Sequence, residues 1–291
     1  MKLILSRKGF DSSAGGCPNP IFPDGSMLAL PIPDSDSKIA YDEINYHHPE
    51  LGVLKVSDLV SQLTRKKIKP KSGAHLDPDM IESAYPRSAH WRPVLGQTGA
   101  AQGHLAKQGV GEGDVFVFFG VFRDVELYKE GRRKAVWRFV PGTKPKHIIW
   151  GWMKVGQVLP VDQTDFSTPE HAWLRYHPHL HGSHSRGESE PNNTLYLSSD
   201  SGVFPKVSEA LILTDPNSQK PTYWQLPASF YPKNSETALT YHQKLNRWSQ
   251  TEEDAATGLC HLQSAARGQE FVLDMDNSPD VQSWLEELIS L

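Results

Sequence analysis

The segment GDVFVFFGVFR, residues 113–123, is the clearest β-strand in the sequence. Two segments of the same character follow it, KAVWRFV at 134–140 and KHIIWGWMKVGQVLPV at 146–161, and turn-like residues separate the three. β-Branched and aromatic residues favour a half-buried sheet. The three segments therefore predict a strongly bent sheet or a partly closed β-barrel at the centre of the fold.

Apolar and amphipathic segments are spread along the rest of the chain, which predicts a single α+β domain over residues 1–291 with helices flanking the central sheet. Further strands are expected at 3–5, 27–33, 194–199, 209–215, 222–227 and 270–276. Helices are expected at 55–67 with Ser57 as N-cap, at 99–109 closed by Gly109, at 169–176, at 236–248, and from Ser278 to the C-terminus.

Composition and charge narrow the classes of function. The 291 residues carry a formal net charge of -4, and 38% of them are hydrophobic. A protein that binds nucleic acid through its overall charge would be basic, so such binding must come from a local patch. The two cysteines form no CxxC pair, which argues against a thiolate zinc site and fits a reducing cytosol. We expect a cytoplasmic protein, since the sequence shows neither a signal peptide nor a run of about 20 apolar residues.

A histidine-rich segment, RYHPHLHGSHSR at 175–186, contains His177, His179, His181 and His184. On an extended chain the first three would point to one side, and neutral imidazole is a common ligand of zinc, iron or copper. Pro178 and Gly182 favour a turn instead. The alternative is that these histidines bond to backbone groups, and the sequence leaves both interpretations open.

A second candidate segment is GAHLDPDM, residues 73–80. His75 and Asp77, with a distant histidine, match the ligand set of a facial triad. The predicted ligands of a divalent transition metal, iron or zinc, are therefore His75, Asp77 and one of His177, His179 and His181. The competing interpretation is that Asp77 caps a helix over 77–84 with Pro78 at its first position.

The loop after the first strand, SRKGFDSSAGGCPNP at 6–20, combines glycines with charged and hydroxyl side chains. Such a loop predicts phosphate or substrate binding by Arg7, Lys8, Ser12 and Ser13, although it matches neither a P-loop nor GxGxxG. An ordinary Gly/Ser loop is the alternative.

Basic residues also lie near the central strands. Arg132, with Arg133 and Lys134, precedes Trp150 and Trp152, and this arrangement could hold phosphates and stack bases. The alternative is that the tryptophans face the core while the charges face water. A separate basic run, RKKIKPK at 65–71, would complement the dipole at the end of the predicted helix.

Several stretches together resemble a known family, the nucleotide modification associated domain of the third type. They are LSRKGFDSSAGGCPNPIFPDG, AHLDPD, LGQTGAAQGHLAKQGVGEGDVFVFFGVFR, HIIWGWMKVGQV and GQEFVLDMD. The resemblance implies an association with systems that build modified bases in phage and bacterial DNA. The central strands are also similar to those of PUA-like and EVE-like barrels, which bind modified nucleobases.

Two functional hypotheses follow. The first is an enzyme of nucleotide or DNA base modification, with Asp11, His75, Asp77 and His104 as catalytic residues and with nucleotide or nucleic acid as partner. The second is a non-catalytic reader of modified nucleobases, in which Trp150 and Trp152 form a pocket and Arg132 contacts phosphate.

Overall fold

The computed structural model describes residues 1–132, 134–181, 192–234, 236–265 and 270–291. Fifteen strands occur within these ranges: β1 (Lys2–Arg7), β2 (Asn19–Ile21), β3 (Ile32–Pro33), β4 (Asn45–His48), β5 (Gly52–Lys55), β6 (Ala74–His75), β7 (Val94–Gln97), β8 (Val115–Tyr128), β9 (Val136–Phe139), β10 (Lys146–Pro160), β11 (Thr194–Val203), β12 (Tyr223–Pro227), β13 (Trp248–Ser249), β14 (Leu259–Gln263) and β15 (Glu270–Asp274).

The same ranges contain four α-helices: α1 (Val56–Leu63), α2 (Gly99–Lys107), α3 (Glu252–Thr257) and α4 (Pro279–Ile289). Short 3₁₀ helices connect the elements at Tyr41–Glu43, Glu82–Ala84, Ala172–Tyr176, Pro178–Leu180, Glu209–Leu211, Ala228–Phe230, Leu245–Arg247 and Met275–Asn277. None of the helices in the described ranges combines the length and the apolar character needed to cross a bilayer.

One large sheet dominates the fold. Its strands follow the order β15-β1-β8-β10-β11-β7, and β2 and β9 also pair with β8. β1 runs parallel to β8, whereas β10 pairs antiparallel with both β8 and β11. Irregularities at Ile149/Gly151 and around Val155 interrupt the ladders of β10, and such bulges bend a strand. The sheet is strongly curled into a half-barrel, which confirms the predicted α+β fold around a bent central sheet.

The long central strands form the core, as their composition predicts. Val115 to Phe119 are all buried, and Phe118 stacks on Trp150 with 5.3 Å between ring centroids. A second cluster forms around α1, whose apolar face of Val56, Leu59, Val60 and Leu63 packs against Trp137 of β9. The Gln62 Oε1 accepts a hydrogen bond from the Trp137 backbone N–H at 2.6 Å, which joins the helix to the strand.

Several predicted elements are wrong in detail. Helix α1 starts at Val56 with Lys55, not Ser57, as N-cap, because Val56 belongs to the buried face of the helix. No α-helix covers 77–84, because Asp79 exchanges backbone hydrogen bonds with Val94 in an extended segment, and only the 3₁₀ turn at Glu82–Ala84 is helical.

The described part of 236–248 is also largely non-helical. Its buried His242 accepts from the Ala265 N–H, and the His242 carbonyl accepts from the Trp248 indole, so tertiary contacts take the place of a helix. The expected strand at 209–215 begins instead as a 3₁₀ helix, and 27–33 contributes only β3 at its end.

The buried His147 gives a prediction about stability and pH. Burial lowers the pKa of His147 to about 3, and its Nδ1 accepts a hydrogen bond from the Trp224 indole at 2.9 Å. Between pH 6.5 and 3 the unfolded chain therefore binds a proton that the folded chain excludes, so stability falls as the pH falls. We expect this residue to contribute a loss of about 2 kcal/mol between pH 7 and pH 5.

Urea unfolding of the wild type and of His147→Gln at both pH values measures this contribution. The variant should show a correspondingly smaller change in stability with pH. His47→Gln, at an exposed position, is the matched control and should retain the wild-type change. Equal pH dependence in the wild type and in His147→Gln would contradict the prediction.

Candidate metal centre

A polar cavity of about 370 Å³ opens between the loop after β1, the turn after β3, β6 and β7. Its charged lining residues are Arg7, Lys8, Asp11, Asp34, Asp36 and Asp77, and its lining also includes His75 and His179. The cavity thus brings together the loop after the first strand, the His75–Asp77 segment, and Pro178 and His179 of the histidine-rich segment. The sequence identifies all three segments separately, and the fold joins them.

His75 is oriented by a carboxylate behind it. Its Nδ1 lies 2.9 Å from the Asp34 Oδ2, and this hydrogen bond is the main reason why the pKa of Asp34 lies below its ordinary value. An ionised carboxylate only accepts, so Nδ1 carries the proton of the neutral ring. The Nε2 of His75 is left with a free lone pair, as in the carboxylate–histidine–metal arrangement.

His179 is oriented in the same way by an amide. Its Nδ1 lies 2.7 Å from the Asn193 Oδ1, and the Asn193 Nδ2 donates to the His179 carbonyl at 2.8 Å. The second bond fixes the orientation of the amide, so Nδ1 of His179 is the donor and Nε2 carries the lone pair. Burial lowers the pKa of His179 to about 4, which keeps the ring neutral at pH 7.

Asp77 uses its two carboxylate oxygens differently. Its Oδ1 accepts from the Gly96 N–H at 2.5 Å and lies 3.3 Å from the His177 Nε2. Its Oδ2 lies 4.0 Å from the Nε2 atoms of both His75 and His179. Burial raises the pKa of Asp77, but the contact with His177, together with His179 and Lys8 nearby, outweighs burial and holds the pKa below its ordinary value.

Three potential electron-pair donors therefore converge. One atom each from His75, Asp77 and His179 lies within 4.8 Å of the other two. Two imidazole lone pairs and a carboxylate oxygen that face one another favour a cation between them. Two histidines and one carboxylate are a ligand set for Fe(II) or Zn²⁺, with positions left open for other ligands.

The other two predicted histidine ligands have different partners. His177 lies behind Asp77, fully buried, and its Nδ1 accepts from the His179 N–H at 3.4 Å. The His181 Nε2 lies 2.8 Å from the Arg175 carbonyl oxygen. His184 lies outside the described residues. The structure thus brings His179, rather than His177 or His181, next to His75 and to the Oδ2 of Asp77.

The charged residues of the loop after β1 line the same cavity. The Lys8 Nζ lies 3.3 Å from the buried Glu270 Oε1, which also accepts from the Gln97 amide at 2.5 Å. The Asp11 Oδ1 accepts from the N–H and Oγ–H of Ser13 at 2.7 Å each. Burial raises the pKa of Asp11, but these hydrogen bonds outweigh it and keep Asp11 ionised. Ser12 is exposed and does not line the cavity.

Other predicted site residues lie elsewhere. His104 has its Nε2 3.0 Å from the Thr240 Oγ1 and does not line the cavity. Trp150 and Trp152 are only 5% and 9% exposed and belong to the hydrophobic core. Arg132 is exposed in the turn between β8 and β9, and Arg133 lies outside the described residues.

Sequence reasoning missed five residues that shape the centre. They are Asp34, Gly96, Gln97, Asn193 and Glu270. Gly96, Gln97 and Glu270 fall within stretches that carry the family resemblance, which is the signal that could have found them. Asp34 and Asn193 lie in turn-like segments without a motif, and their role depends on folded proximity.

The fold and the cavity define an α+β protein with a candidate His–Asp–His metal centre next to two basic side chains. Over residues 2–274 the sequence matches the family described as nucleotide modification associated domain 3, and the chain belongs to that family. No curated protein and no solved structure matches the chain. The likeness of its half-barrel to PUA-like barrels accordingly stays a prediction.

The hydrogen bond from His75 to Asp34 gives a prediction about metal affinity. Replacing Asp34 with Asn removes the charge that fixes the His75 tautomer, and such substitutions behind a ligand typically weaken metal binding about 10- to 100-fold. Calorimetric titration with Zn²⁺ measures the change. Asp162→Asn, at an exposed position, is the control. Equal affinities of the wild type and Asp34→Asn would show that Asp34 does not orient a ligand.

Gly96 gives a second prediction, because a Cβ at this position would overlap the ring of His179. We expect Gly96→Ala to displace the His179 ring and to lower Zn²⁺ affinity more than tenfold, as for loss of a ligand. At Gly111 a Cβ would meet open space, so Gly111→Ala is the matched control. Circular dichroism establishes that both variants fold. A folded Gly96→Ala protein with wild-type Zn²⁺ affinity would exclude His179 as a ligand.

Proposed function

We propose that this chain is a metal-dependent enzyme of nucleotide or DNA base modification, with His75, Asp77 and His179 as the ligands of iron or zinc. The observation that carries the proposal is the orientation of the two imidazoles. Asp34 and Asn193 each engage an Nδ1, so both Nε2 lone pairs face the Asp77 Oδ2 at 4.0 Å. The match to the nucleotide modification associated family supports the nucleotide part of the proposal.

The number of ligands favours catalysis over a structural role. Structural zinc sites are usually closed by four protein ligands, whereas catalytic centres keep a position for water or substrate. His75, Asp77 and His179 line the wall of a cavity, so a substrate could reach the remaining positions. When bound, the metal would supply a Lewis acid, or an activated water or oxygen ligand.

The chain's own residues then bind and orient a charged substrate. Arg7 and Lys8 line the cavity and fit a phosphate or another anionic group. Ser13 lies in the same loop and supports Asp11. Asp11 has a lowered pKa, so it fits an acceptor for substrate hydroxyl or amino groups better than a general base at neutral pH. His75 serves as a ligand in this proposal, and His104, which lies outside the cavity, receives no role.

The reader hypothesis has less support. It requires the aromatic faces of Trp150 and Trp152 to meet a nucleobase, yet both rings are packed into the core. Phe118 covers one face of Trp150. Opening this pocket would disrupt the centre of the main sheet. The burial of these rings therefore favours the polar cavity as the place where a nucleotide binds.

The test of the proposed function compares the wild type with Asp77→Asn. Asn keeps an oxygen that accepts from the Gly96 N–H but removes the negative charge that faces the two imidazoles. We expect the variant to fold, to lose bound transition metal in elemental analysis, and to lose activity. Activity is measured as a new or lost nucleoside peak, by mass spectrometry of DNA, RNA and free nucleotides from cells that express each protein.

His47→Ala, at an exposed histidine remote from the cavity lining, controls for nonspecific metal binding and should behave as the wild type. Two outcomes would contradict the proposal. One is an equal transition-metal content in the wild type and Asp77→Asn. The other is a nucleoside change that Asp77→Asn produces as well as the wild type.

A further inference from the structure

We propose that a basic surface formed by residues 65–71 and by the tip of the β8–β9 hairpin binds the backbone of a nucleic acid, and that the substrate is therefore a polynucleotide. The surface can be tested by itself, and its link to catalysis rests on the proposed function. We call this the basic surface. Its members are Arg65, Lys66, Lys67, Lys69, Lys71, Lys129, Arg132 and Lys134.

The first half of the basic surface follows helix α1. All five of its basic side chains, between Arg65 and Lys71, are exposed, and none forms an ion pair with a carboxylate of the described residues. Asp42 lies beside this loop through a hydrogen bond from its backbone N–H to the Pro70 carbonyl, and Glu43 bonds back to the Ala40 N–H. Five positive charges next to two negative ones leave a strong local excess, in a chain of net charge -4.

The second half is the tip of the β8–β9 hairpin. Lys129, Arg132 and Lys134 are exposed there, together with the single carboxylate of Glu130 and apolar side chains. Tyr128 pairs with Val136 across the hairpin, and they are 36% and 40% exposed. The Arg138 guanidinium lies over the Tyr128 ring, 3.3 Å from its centroid, so the tip contributes basic side chains that fit phosphates rather than an open ring for stacking.

Packing brings the two halves together although about 60 residues separate them in the sequence. The Gln62 side chain at the end of α1 accepts from the Trp137 N–H of β9 at 2.6 Å. Ile68, in the middle of the basic loop, and Phe139 of β9 pack on the same hydrophobic cluster. These contacts place the loop beside β9 of the hairpin, so the two sets of exposed basic residues lie on neighbouring elements.

The basic surface also lies close to the candidate metal centre along the chain. His75 lies four positions after Lys71, and a chain of that length spans at most about 14 Å. Nucleotides in one strand rise about 3.4 Å each. A nucleic acid held on the basic surface thus needs to extend by only about four nucleotides to reach the cavity. Enzymes that modify a base in a polymer take it out of the stack or act on a single strand, which fits a cavity beside a backbone-binding surface.

A nucleic acid fits the basic surface better than a membrane does. Binding of a helix to a membrane surface requires an apolar face that enters the lipid. The apolar face of α1, including Leu59 and Leu63, is buried against Trp137 and is not available to lipid. The exposed basic side chains can pair with phosphates but offer no apolar face that could insert into lipid.

The test measures binding of a 30-base-pair duplex and a 30-nucleotide single strand by fluorescence anisotropy at 50 and 200 mM salt. The triple variant Lys66→Gln/Lys67→Gln/Lys69→Gln should weaken binding at least about tenfold and lower the slope of log K against log salt by about 2 to 3. The control Lys220→Gln/Lys233→Gln/Lys244→Gln makes the same charge change at exposed lysines elsewhere and should stay within about twofold of the wild type.

Three results would overturn the proposal. The triple variant and the control could bind both DNA probes equally, the wild type could bind phosphatidylserine vesicles but neither DNA probe, or the triple variant could keep full activity on DNA.

Asp77→Asn separates this proposal from the proposed function. If it binds DNA as the wild type does but the metal prediction fails, the surface stands and the metal enzyme does not. If the wild type binds metal as predicted but binds neither DNA probe, the proposed metal enzyme stands and the basic surface does not.

Discussion

The pairing of β7 with β11 is the constraint on which the candidate centre depends. Gly96 of β7 lies opposite Leu195 of β11, and Asn193 comes just before β11 begins. The Gly96 N–H then engages the Asp77 Oδ1, and Asn193 engages His179. Because Gly96 has no Cβ, the ring of His179 can lie directly against this strand. One pair of short strand segments therefore determines where two of the three candidate ligands lie.

The second wall of the cavity depends on β1. This strand is buried between β15 and β8, and Ser6 lies opposite Glu270 in the ladder with β15. Lys8 leaves the end of β1 and reaches the Glu270 carboxylate, which Gln97 also contacts. The Lys8–Glu270 pair thus connects the β1 side of the cavity to the β7 side. A buried charge needs such a partner, since an unpaired one would be costly in the interior.

The fold was predictable in outline because the signal was local. The runs at 113–123 and 146–161 consist of β-branched and aromatic residues, and they became β8 and β10. Predictions failed where tertiary contacts decide the structure. Asp77 is an apt helix cap by local rules, yet its neighbour Asp79 pairs with Val94 and is buried with Arg87 at 2.6 Å. The segment 236–248 has helical spacing, yet the hydrogen bonds of His242 replace the helix.

In the candidate site, too, local sequence predicts some residues, and tertiary contacts determine the others. His75 and Asp77 were predictable together because only one residue separates them, so a local pattern carries both. The choice of His179 among the neighbouring histidines depends on Asn193 and Gly96, and no local pattern carries that information. The tryptophans show the converse case. Trp150 and Trp152 alternate as a stacking platform would, but position in the central sheet decides that they belong to the core.

Charge in the cavity implies an order of binding. Four carboxylates line it, those of Asp11, Asp34, Asp36 and Asp77, and two basic side chains, Arg7 and Lys8, oppose them. With neutral histidines the formal charge of the lining is negative, so a phosphate entering first would meet net repulsion at short range. A divalent cation between His75, Asp77 and His179 brings that formal charge to zero, and its own field then attracts an anion. In the proposed enzyme we therefore expect the metal to bind before an anionic substrate, and its charge to strengthen the hold of Arg7 and Lys8 on a phosphate.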